Sequence, residues 1–211
     1  KAVVPGMLER GLAGRTEAEV ALDLEIAIRR QGAEALSFEP IVASGAHGAL
    51  PHAEPRGTVI APGVLVTIDW GAQLEGYCSD CTRTFATGEV GEEERAVYDL
   101  VLRAQEAALA AVRPGPTGRE VDAVARDIIE TAGHGEHFGH GLGHGVGLEV
   151  HEGPRVSRTG EQALEAGMIV TVEPGVYLPG RCGVRIEDLV LVTEDGPDVL
   201  NTLPKALQVV G

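Results

Sequence analysis

The sequence predicts an α+β fold composed of two similar halves, and three observations support this prediction. A capped helix pattern occurs twice, about a hundred residues apart, and so does an apolar strand pattern that carries an acidic residue. An amphipathic helix pattern runs between the copies. Because no Ser/Gly-rich linker interrupts the chain, we expect one domain over residues 1–211, with halves at about 1–113 and 114–211 related by a pseudo-twofold axis.

The repeated helix patterns are GRTEAEVALDLEIAIRRQG and GPTGREVDAVARDIIETAG. In each copy a threonine precedes a glutamate by three residues, which is the capping box of a helix start: Thr16 with Glu19, and Thr117 with Glu120. The glycine that closes each copy can take the left-handed conformation of a helix end. Between the copies, residues 91–115 predict a long helix that begins with acidic residues and stops at a Pro-Gly pair.

The repeated strand patterns each carry an acid toward one end of the strand. GVLVTIDWGA contains Asp69, and GMIVTVEPGV contains Glu173 at the same position of the pattern. A segment with turn-forming glycines follows each strand and leads to a second acid, Asp80 in the first half and Glu187 in the second. We therefore expect two hairpins, each of which brings two carboxylates together.

Carboxylates gathered in this way need cations. Four ionised acids in a core would repel one another and lose hydration, which costs several kcal/mol per ion unless metal ions neutralise them. Two divalent ions would do so, with an imidazole ligand from the segment HFGHGLGHGVGLEVHEGP, whose glycines allow close approach of the backbone. Oxygen ligands with one imidazole suit Mn²⁺, Co²⁺, Fe²⁺ or Zn²⁺, and the residues do not select among these ions.

The composition limits the partners of the protein. The chain has 211 residues and a net charge of −15, so nucleic acid would be repelled. No apolar run reaches the roughly 18 residues of a membrane span and no leader-like segment opens the chain, which predicts a protein without membrane attachment. Three cysteines are too few for a disulfide framework and indicate a reducing, cytoplasmic setting. Cys78 and Cys81 lack the second pair of a four-sulfur zinc site.

Five motifs occur in a fixed order: PHAEP, TIDWGAQLEGYCSDCTRTF, GHGLGHGVGLEVHEGP, TVEPGVY and GVRIEDLVLVT. Together they resemble the pita-bread metallopeptidases, the superfamily of methionine aminopeptidase, aminopeptidase P and prolidase, over nearly the whole chain. The resemblance implies the creatinase/aminopeptidase fold, in which a curved antiparallel sheet is covered by helices. It also implies that residues 1–211 form a metallopeptidase catalytic domain. The family's N-terminal domain is then absent from this chain, which is either a fragment or a natural short form.

The resemblance further implies a role for each site residue. Asp69 would chelate the first of two divalent metal ions, and Asp80 and Glu187 would bridge both. His144 and Glu173 would hold the second ion, and Glu173 would also handle the proton of a metal-bridging hydroxide that attacks the scissile carbonyl. The family's other catalytic and substrate-binding positions correspond to His52, His140 and His151, and a further substrate-binding position corresponds to Arg185.

The branch of the superfamily is indicated by Arg185 in GVRIED and by His140, four residues before His144. Both resemble the proline-peptidase branch, which implies a metallo-exopeptidase that hydrolyses Xaa-Pro bonds at the N-terminus of peptides or in dipeptides. Its partner would be a proline-containing peptide, and a homodimer is compatible with the family. The alternatives are a methionine aminopeptidase, a non-catalytic pita-bread binding module, and metal-free C–N hydrolysis of the creatinase type.

Overall fold

The structure is a computed structural model that describes Gly6 and residues 8–211. Its α-helices are α1 (Glu17–Arg30), α2 (Glu92–Ala111) and α3 (Gly118–Thr131), and short 3₁₀ turns lie at Gly45–Ala49 and Gly135–His137. The strands are β1 (Ala35–Leu36), β2 (Ile41–Ser44), β3 (Leu65–Trp70), β4 (Ala72–Leu74), β5 (Tyr77–Cys78), β6 (Cys81–Ala86), β7 (Gly143–Gly145), β8 (Glu152–Val156), β9 (Ile169–Val172), β10 (Gly175–Leu178), β11 (Cys182–Arg185), β12 (Asp188–Thr193) and β13 (Gly196–Val199).

The helices begin where the sequence predicts, and α1 and α3 also end as predicted, whereas α2 ends at Ala111, before the Pro-Gly pair that was expected to stop it. Thr16 caps α1 and Thr117 caps α3, and in both cases the threonine side chain and the glutamate three residues later form the complete capping box. Gly32 and Gly133 follow these helices with φ of +99° and +86°, a backbone conformation that favours glycine. The long helix expected between the repeats is α2, whose first turn carries three glutamates.

Each half contains a strand, a hairpin and a returning strand. In the first half β3 pairs antiparallel with β6, and the β4–β5 hairpin lies between them; in the second half β9 pairs with β12 around the β10–β11 hairpin. Asp69 faces Thr82 across the first pair, and Val172 faces Asp188 across the second. The expected antiparallel pairing is confirmed, and it brings the predicted acids to the same end of each pair.

The sheets carry apolar residues on the faces that helices cover. β2, β3 and β6 form one antiparallel sheet, and β13, β12, β9, β7 and β8 form another in that order. Val66, Ile68 and Phe85 alternate along β3 and β6 and pack with α1 in one hydrophobic cluster. Residues of α2, α3 and the second half form a larger cluster. The larger cluster therefore joins both halves, because α2, Leu65 and Ala86 belong to the first half.

A layer of threonines joins the two halves on the other face of β3 and β6. The Thr67 hydroxyl donates to the Gly183 carbonyl at 3.2 Å, and the Thr84 hydroxyl donates to the Arg185 carbonyl at 3.0 Å. Gly183 also lies against the carbonyl of Gly48, where an added Cβ atom would overlap the oxygen. These contacts bring the acid-bearing ends of both halves to one place.

The described helices include none that is both long enough and apolar enough to cross a membrane.

Candidate metal centre

A cleft of about 410 Å³ lies where the two halves meet. Every site residue predicted from the sequence contributes to its lining, although these residues come from both halves of the chain: His52, Asp69, Asp80, His140, His144, His151, Glu173, Arg185 and Glu187. The remaining wall is largely apolar and includes Phe38, Ile41 and Pro51. The structure thus brings the predicted residues together, while their roles stay predictions.

The acids occupy two kinds of position. Asp69, in β3, and Glu173, directly after β9, lie at the ends of the strands that enter the site, and we call them the outgoing acids. Asp80, directly before β6, and Glu187, directly before β12, begin the returning strands, and we call them the returning acids. Ligand atoms of Asp80, Glu187 and His144 all lie within 4.8 Å of one another.

The outgoing acids each have a cationic partner. Asp69 accepts a hydrogen bond from Arg185 Nη2 at 2.7 Å, although burial still raises its pKa. Glu173 lies 3.1 Å from His144 Nε2 and accepts from the Thr171 hydroxyl at 3.0 Å. Burial acts to raise the pKa of Glu173, but the hydrogen bond from His144 and the neighbouring imidazoles outweigh it and lower the pKa to about 2.

The returning acids have no hydrogen-bonded cationic partner among the described residues, because His144 Nε2 lies 3.8 Å from Asp80. Asp80 is 5% exposed and Glu187 is 1% exposed, and no described Lys or Arg side chain forms a salt bridge with either. Burial, followed by repulsion from Glu187, raises the pKa of Asp80 well above its usual value. Burial and repulsion from Glu173 do the same for Glu187, which accepts a hydrogen bond from the Thr82 hydroxyl at 2.7 Å.

Three carboxylate oxygens of this cluster are buried without a hydrogen-bond partner among the described residues: Asp69 Oδ1, Asp80 Oδ1 and Glu187 Oε1. Buried polar atoms are almost always paired, and an orphaned carboxylate oxygen is the type of ligand that divalent cations prefer. The residues present therefore fit a divalent metal site, because bound cations would satisfy these oxygens and offset the repulsion between the acids.

His144 presents one ring nitrogen to the acids. Its Nδ1 donates to the Gly145 carbonyl at 3.0 Å, which directs Nε2 toward Glu173 and, at 3.8 Å, toward Asp80. Such a second hydrogen bond fixes the orientation of a metal-binding imidazole. The backbone at Gly143 lies so close to the Thr171 carbonyl that an added Cβ atom would overlap it. The glycines around the histidine thus allow the close approach that the sequence suggested.

The loop that carries His140 is held by α3. Arg126 pairs with Asp122, one turn earlier on the helix, and donates to the carbonyls of Phe138 and His140 at 3.0 and 2.8 Å. Asp122 also accepts from the amide of Leu142 at 2.9 Å. The pair is buried, so it fixes the backbone on both sides of His140 in a water-poor environment.

Tyr177 is a site residue that the sequence reasoning missed. Its hydroxyl lies 2.9 Å from His140 Nε2 and accepts from Arg185 Nη1 at 2.8 Å. Because His140 Nδ1 faces the Gly141 carbonyl at 2.7 Å, the tyrosine is the donor to Nε2. The available signal was a tyrosine in the otherwise apolar strand β10, since buried tyrosine hydroxyls usually have a partner.

Arg185 is 4% exposed, and protein groups occupy its donors. Besides Asp69 and Tyr177, it donates to the Thr82 hydroxyl at 3.1 Å and to the Pro51 carbonyl at 3.0 Å. These contacts are those expected of an arginine that holds the site carboxylates in position. Its predicted contact with substrate stays a prediction.

His52 and His151 lie at the open side of the cleft and are exposed. The His151 ring packs edge-on against the ring of His144, with centroids 4.4 Å apart. Burial lowers the pKa of both His140 and His151, so these imidazoles are neutral near pH 7. A neutral His151 is able to donate a hydrogen bond to a ligand without repulsion from metal ions, whereas both ring nitrogens of His140 already have protein partners.

Comparison with known proteins gives concordant results. The profile described as metallopeptidase family M24 matches residues 1–194. The Xaa-Pro dipeptidase of Pyrococcus furiosus is 46% identical over 204 residues, which are 97% of this chain and 59% of that protein. A solved X-Pro aminopeptidase from Thermotoga maritima superposes with a TM-score of 0.96 at 45% identity, and a solved Xaa-Pro dipeptidase from Bacillus anthracis with 0.97 at 47%. Each comparison covers 99% of this chain and 59% of the solved chain. The chain therefore spans about three fifths of the length of these relatives.

Proposed function

Because the chain belongs to metallopeptidase family M24 and has the pita-bread fold expected from its sequence, we propose that it hydrolyses peptide bonds that precede proline. The relatives named Xaa-Pro dipeptidase and X-Pro aminopeptidase support this substrate class. One observation carries the proposal: buried carboxylates from both halves meet one imidazole in a cleft, and three of their oxygens lack a partner.

In the proposed mechanism two divalent metal ions occupy the cleft. Asp80 and Glu187 would bridge them, Asp69 would hold one, and His144 with Glu173 would hold the other. Bound divalent ions lower the pKa of water and polarise a carbonyl group. The identity of the ions stays open among Mn²⁺, Co²⁺, Fe²⁺ and Zn²⁺, because the ligand set suits all of them.

The residues of the chain would perform the remaining steps. Glu173 is ionised near pH 7, so its carboxylate is able to accept the proton of the attacking water and deliver it to the leaving nitrogen. His52, His140 and His151 line the cleft and would contact the peptide and the oxyanion that develops on its carbonyl. We expect His52 to assist the leaving group or the attacked amide.

The cleft wall supports a proline-containing substrate. An Xaa-Pro bond has a tertiary amide without an N–H group, so recognition must depend on the ring rather than on a donated hydrogen bond. Phe38, Ile41 and Pro51 present apolar surface to the cleft beside the acids. We propose that the pyrrolidine ring packs on this wall, where burial of apolar surface would stabilise it.

Three further features belong to the same proposal. Residues 1–211 would form the catalytic domain, with halves at about 1–113 and 114–211. A homodimer and a cytoplasmic location stay predictions. Dipeptidase and aminopeptidase activity differ in the length of the substrate, and the cleft lining supports either one.

The proposal is tested with the intact protein after removal of metal by a chelator and reloading with Mn²⁺, Co²⁺ or Zn²⁺. An Xaa-Pro dipeptide, an Xaa-Pro-Yaa tripeptide and a Met-Ala peptide are compared as substrates, and the bound metal is measured by elemental analysis. We expect cleavage of the proline peptides by the reloaded protein alone, with close to two ions per chain. The ratio between dipeptide and tripeptide cleavage then assigns the substrate length.

Three results would contradict the proposal. Preferential cleavage of the Met-Ala peptide would identify a methionine aminopeptidase. Less than one ion per chain together with no cleavage would identify a binding module that has kept the fold. Cleavage that persists without metal would favour hydrolysis of the creatinase type.

A further inference from the structure

Glu17 is a buried acid outside the metal centre that the proposed mechanism does not use. It is the first residue of α1, and it is 0% exposed. Its carboxylate makes no salt bridge to a described Lys or Arg side chain; its described partners are Ser44, His47 and the backbone amide of Arg56. Burying an ionised carboxylate is costly, so each of these partners is needed to compensate its lost hydration.

All of these partners lie on one loop, residues 44–56. Oε1 of Glu17 accepts from the Ser44 amide at 2.8 Å and from the Ser44 hydroxyl at 2.7 Å. Oε2 accepts from His47 Nδ1 at 2.8 Å and from the Arg56 amide at 3.2 Å. A single carboxylate therefore ties the beginning, the middle and the end of the loop to the start of α1.

This loop forms one wall of the cleft. Residues 51–55 all line it, and they include His52. The loop has little apolar anchorage of its own, since its buried residues between the end of β2 and Arg56 are Gly48 and Ala53. Segments with few buried apolar contacts open easily, so polar contacts determine where this wall lies. The bond from Arg185 to the Pro51 carbonyl is one such contact, and Glu17 provides those at the two ends.

We propose that Glu17 is a positioning residue that holds the loop 44–56, and with it His52, at the distance from the metal centre that a bound peptide requires. The inference rests on the proposed function, because His52 acts only when a peptide occupies the cleft. Glu17 itself would not touch the peptide. Its effect would pass through the backbone of the loop.

The test uses Glu17→Gln in the intact protein, with Glu19→Gln as the matched control. Glu19 lies on the same first turn of α1 but is exposed, and among the described residues its carboxylate bonds only to Thr16. The amide of Glu17→Gln cannot accept the bonds that one carboxylate oxygen accepted, so hydrogen exchange of the Ser44 or Arg56 amide should accelerate about tenfold. Glu19→Gln should leave both amides at the wild-type rate.

Catalysis provides the second readout. With metal content unchanged, kcat/KM of Glu17→Gln for an Xaa-Pro peptide should fall by about 10- to 100-fold, because small misplacements of a catalytic group are costly. Glu19→Gln should stay within about twofold of the wild type. In a His52→Ala background, Glu17→Gln should lower kcat/KM further by less than about twofold, since both changes act through the same group.

A purely structural role predicts a different pattern. Equal and additive losses in the wild-type and His52→Ala backgrounds would overturn the inference, and so would unchanged hydrogen exchange of the loop in Glu17→Gln. If Glu17→Gln does not fold, Ser44→Ala removes one bond from the loop side and should act in the same direction with a smaller loss. If the wild-type protein cleaves no peptide, the proposed function fails, whereas hydrogen exchange still decides whether Glu17 holds the loop.

Discussion

The outgoing and returning acids occupy corresponding places in the two halves, yet the protein surrounds them differently. Asp69 and Glu173 each receive a cation from the second half, Arg185 and His144 respectively. Among the described residues no cation donates a hydrogen bond to Asp80 or Glu187, since His144 Nε2 lies 3.8 Å from Asp80. Burial, together with repulsion from neighbouring carboxylates, raises the pKa of both. Cationic side chains of the protein therefore contact the outgoing acids, whereas metal ions from solution would neutralise the returning acids.

The two kinds of acid therefore differ in role, although all four are predicted metal ligands. The outgoing acids are held in place by protein contacts before any metal binds. The returning acids are placed by the antiparallel strands that follow them and are destabilised until a metal arrives. Changes at Glu173 and at the returning acids must then differ in size, and in the metal-free protein they must differ in sign. Asp69, whose pKa burial raises despite the contact with Arg185, is not expected to follow Glu173 in sign.

The largest effect is expected at the returning acids. Asp80→Ala or Glu187→Ala would remove a ligand of both ions, so we expect loss of both and a fall in activity of more than about 100-fold. His144→Ala should lose one ion first, because the imidazole would hold one ion only. Elemental analysis and peptide cleavage measure both quantities. Wild-type turnover with full metal content in any of these variants would disprove the ligand assignment.

Arg185→Lys is expected to have the next largest effect. Lysine keeps the charge but cannot reproduce the fork that contacts Asp69, Thr82 and Tyr177 together. We expect metal affinity to fall by about 10- to 100-fold, as for other residues that orient metal ligands. Titration calorimetry measures the metal affinity. Arg181→Lys serves as the control, because Arg181 forms a half-exposed pair with Glu93 away from the metal centre. Equal metal affinities in both variants would show that Arg185 does not support metal binding.

A smaller effect of opposite sign is expected for the stability of the metal-free protein. Below the unfolded pKa of about 3.9, Asp80 is protonated in both states; above it the unfolded chain ionises first, so the raised folded pKa costs stability as pH rises. Asp80→Asn should therefore stabilise the chelator-treated protein by about 1–3 kcal/mol near pH 7, with little gain near pH 4.

Glu173 should behave in the reverse way. Its folded pKa of about 2 lies below the unfolded value of about 4.3, so its contribution is present above that value and is lost as pH falls toward 2. Glu173→Gln should destabilise the metal-free protein by about 1–3 kcal/mol near pH 7 and by about half as much near pH 3. Chemical unfolding at these pH values measures both variants. The same sign for the two would eliminate the distinction between the acids.

The smallest effect is expected at Cys78. Cys78 lies on the hairpin that precedes Asp80, and its thiol is 3.6 Å from the Leu148 carbonyl. Cys78 lines neither the cleft nor the metal centre. Cys78→Ala should change stability by less than about 0.5 kcal/mol and leave metal content at the wild-type value. A loss of metal would mean that sulfur belongs to the site and that the acids are not its complete ligand set.

Local chemistry explains which features were predictable. Thr16 and Thr117 announce helix starts because a capping box is complete within four residues. Asp69 and Glu173 are recognisable because each interrupts an apolar strand pattern at the same position of a repeat. Long apolar patterns correctly predicted two strands, β3 and β9, and the helix α2, because these patterns are also local.

Contacts between distant residues explain what was missed. The Thr82 hydroxyl meets Glu187, 105 residues later, and the Tyr177 hydroxyl meets His140, 37 residues earlier. The threonine does not stand out within its strand, and the tyrosine, although it differs from its apolar neighbours, does not reveal its partner. Both partners are fixed only when distant segments pack together. Glu17 is an acid of the first helical turn of α1, and its link to Ser44 depends on packing of the same kind.

Two glycines described above contribute no chemical group, and they would nevertheless be among the least replaceable positions of the protein. Any side chain at Gly183 would strike the carbonyl of Gly48 and push the wall that carries His52 outward, while one at Gly143 would strike Thr171 beside His144. A saturation-mutagenesis survey scored by growth or turnover would therefore rank both glycines with the acids. Intolerance to substitution at these two glycines would reflect the lack of space for a side chain rather than a chemical role in catalysis.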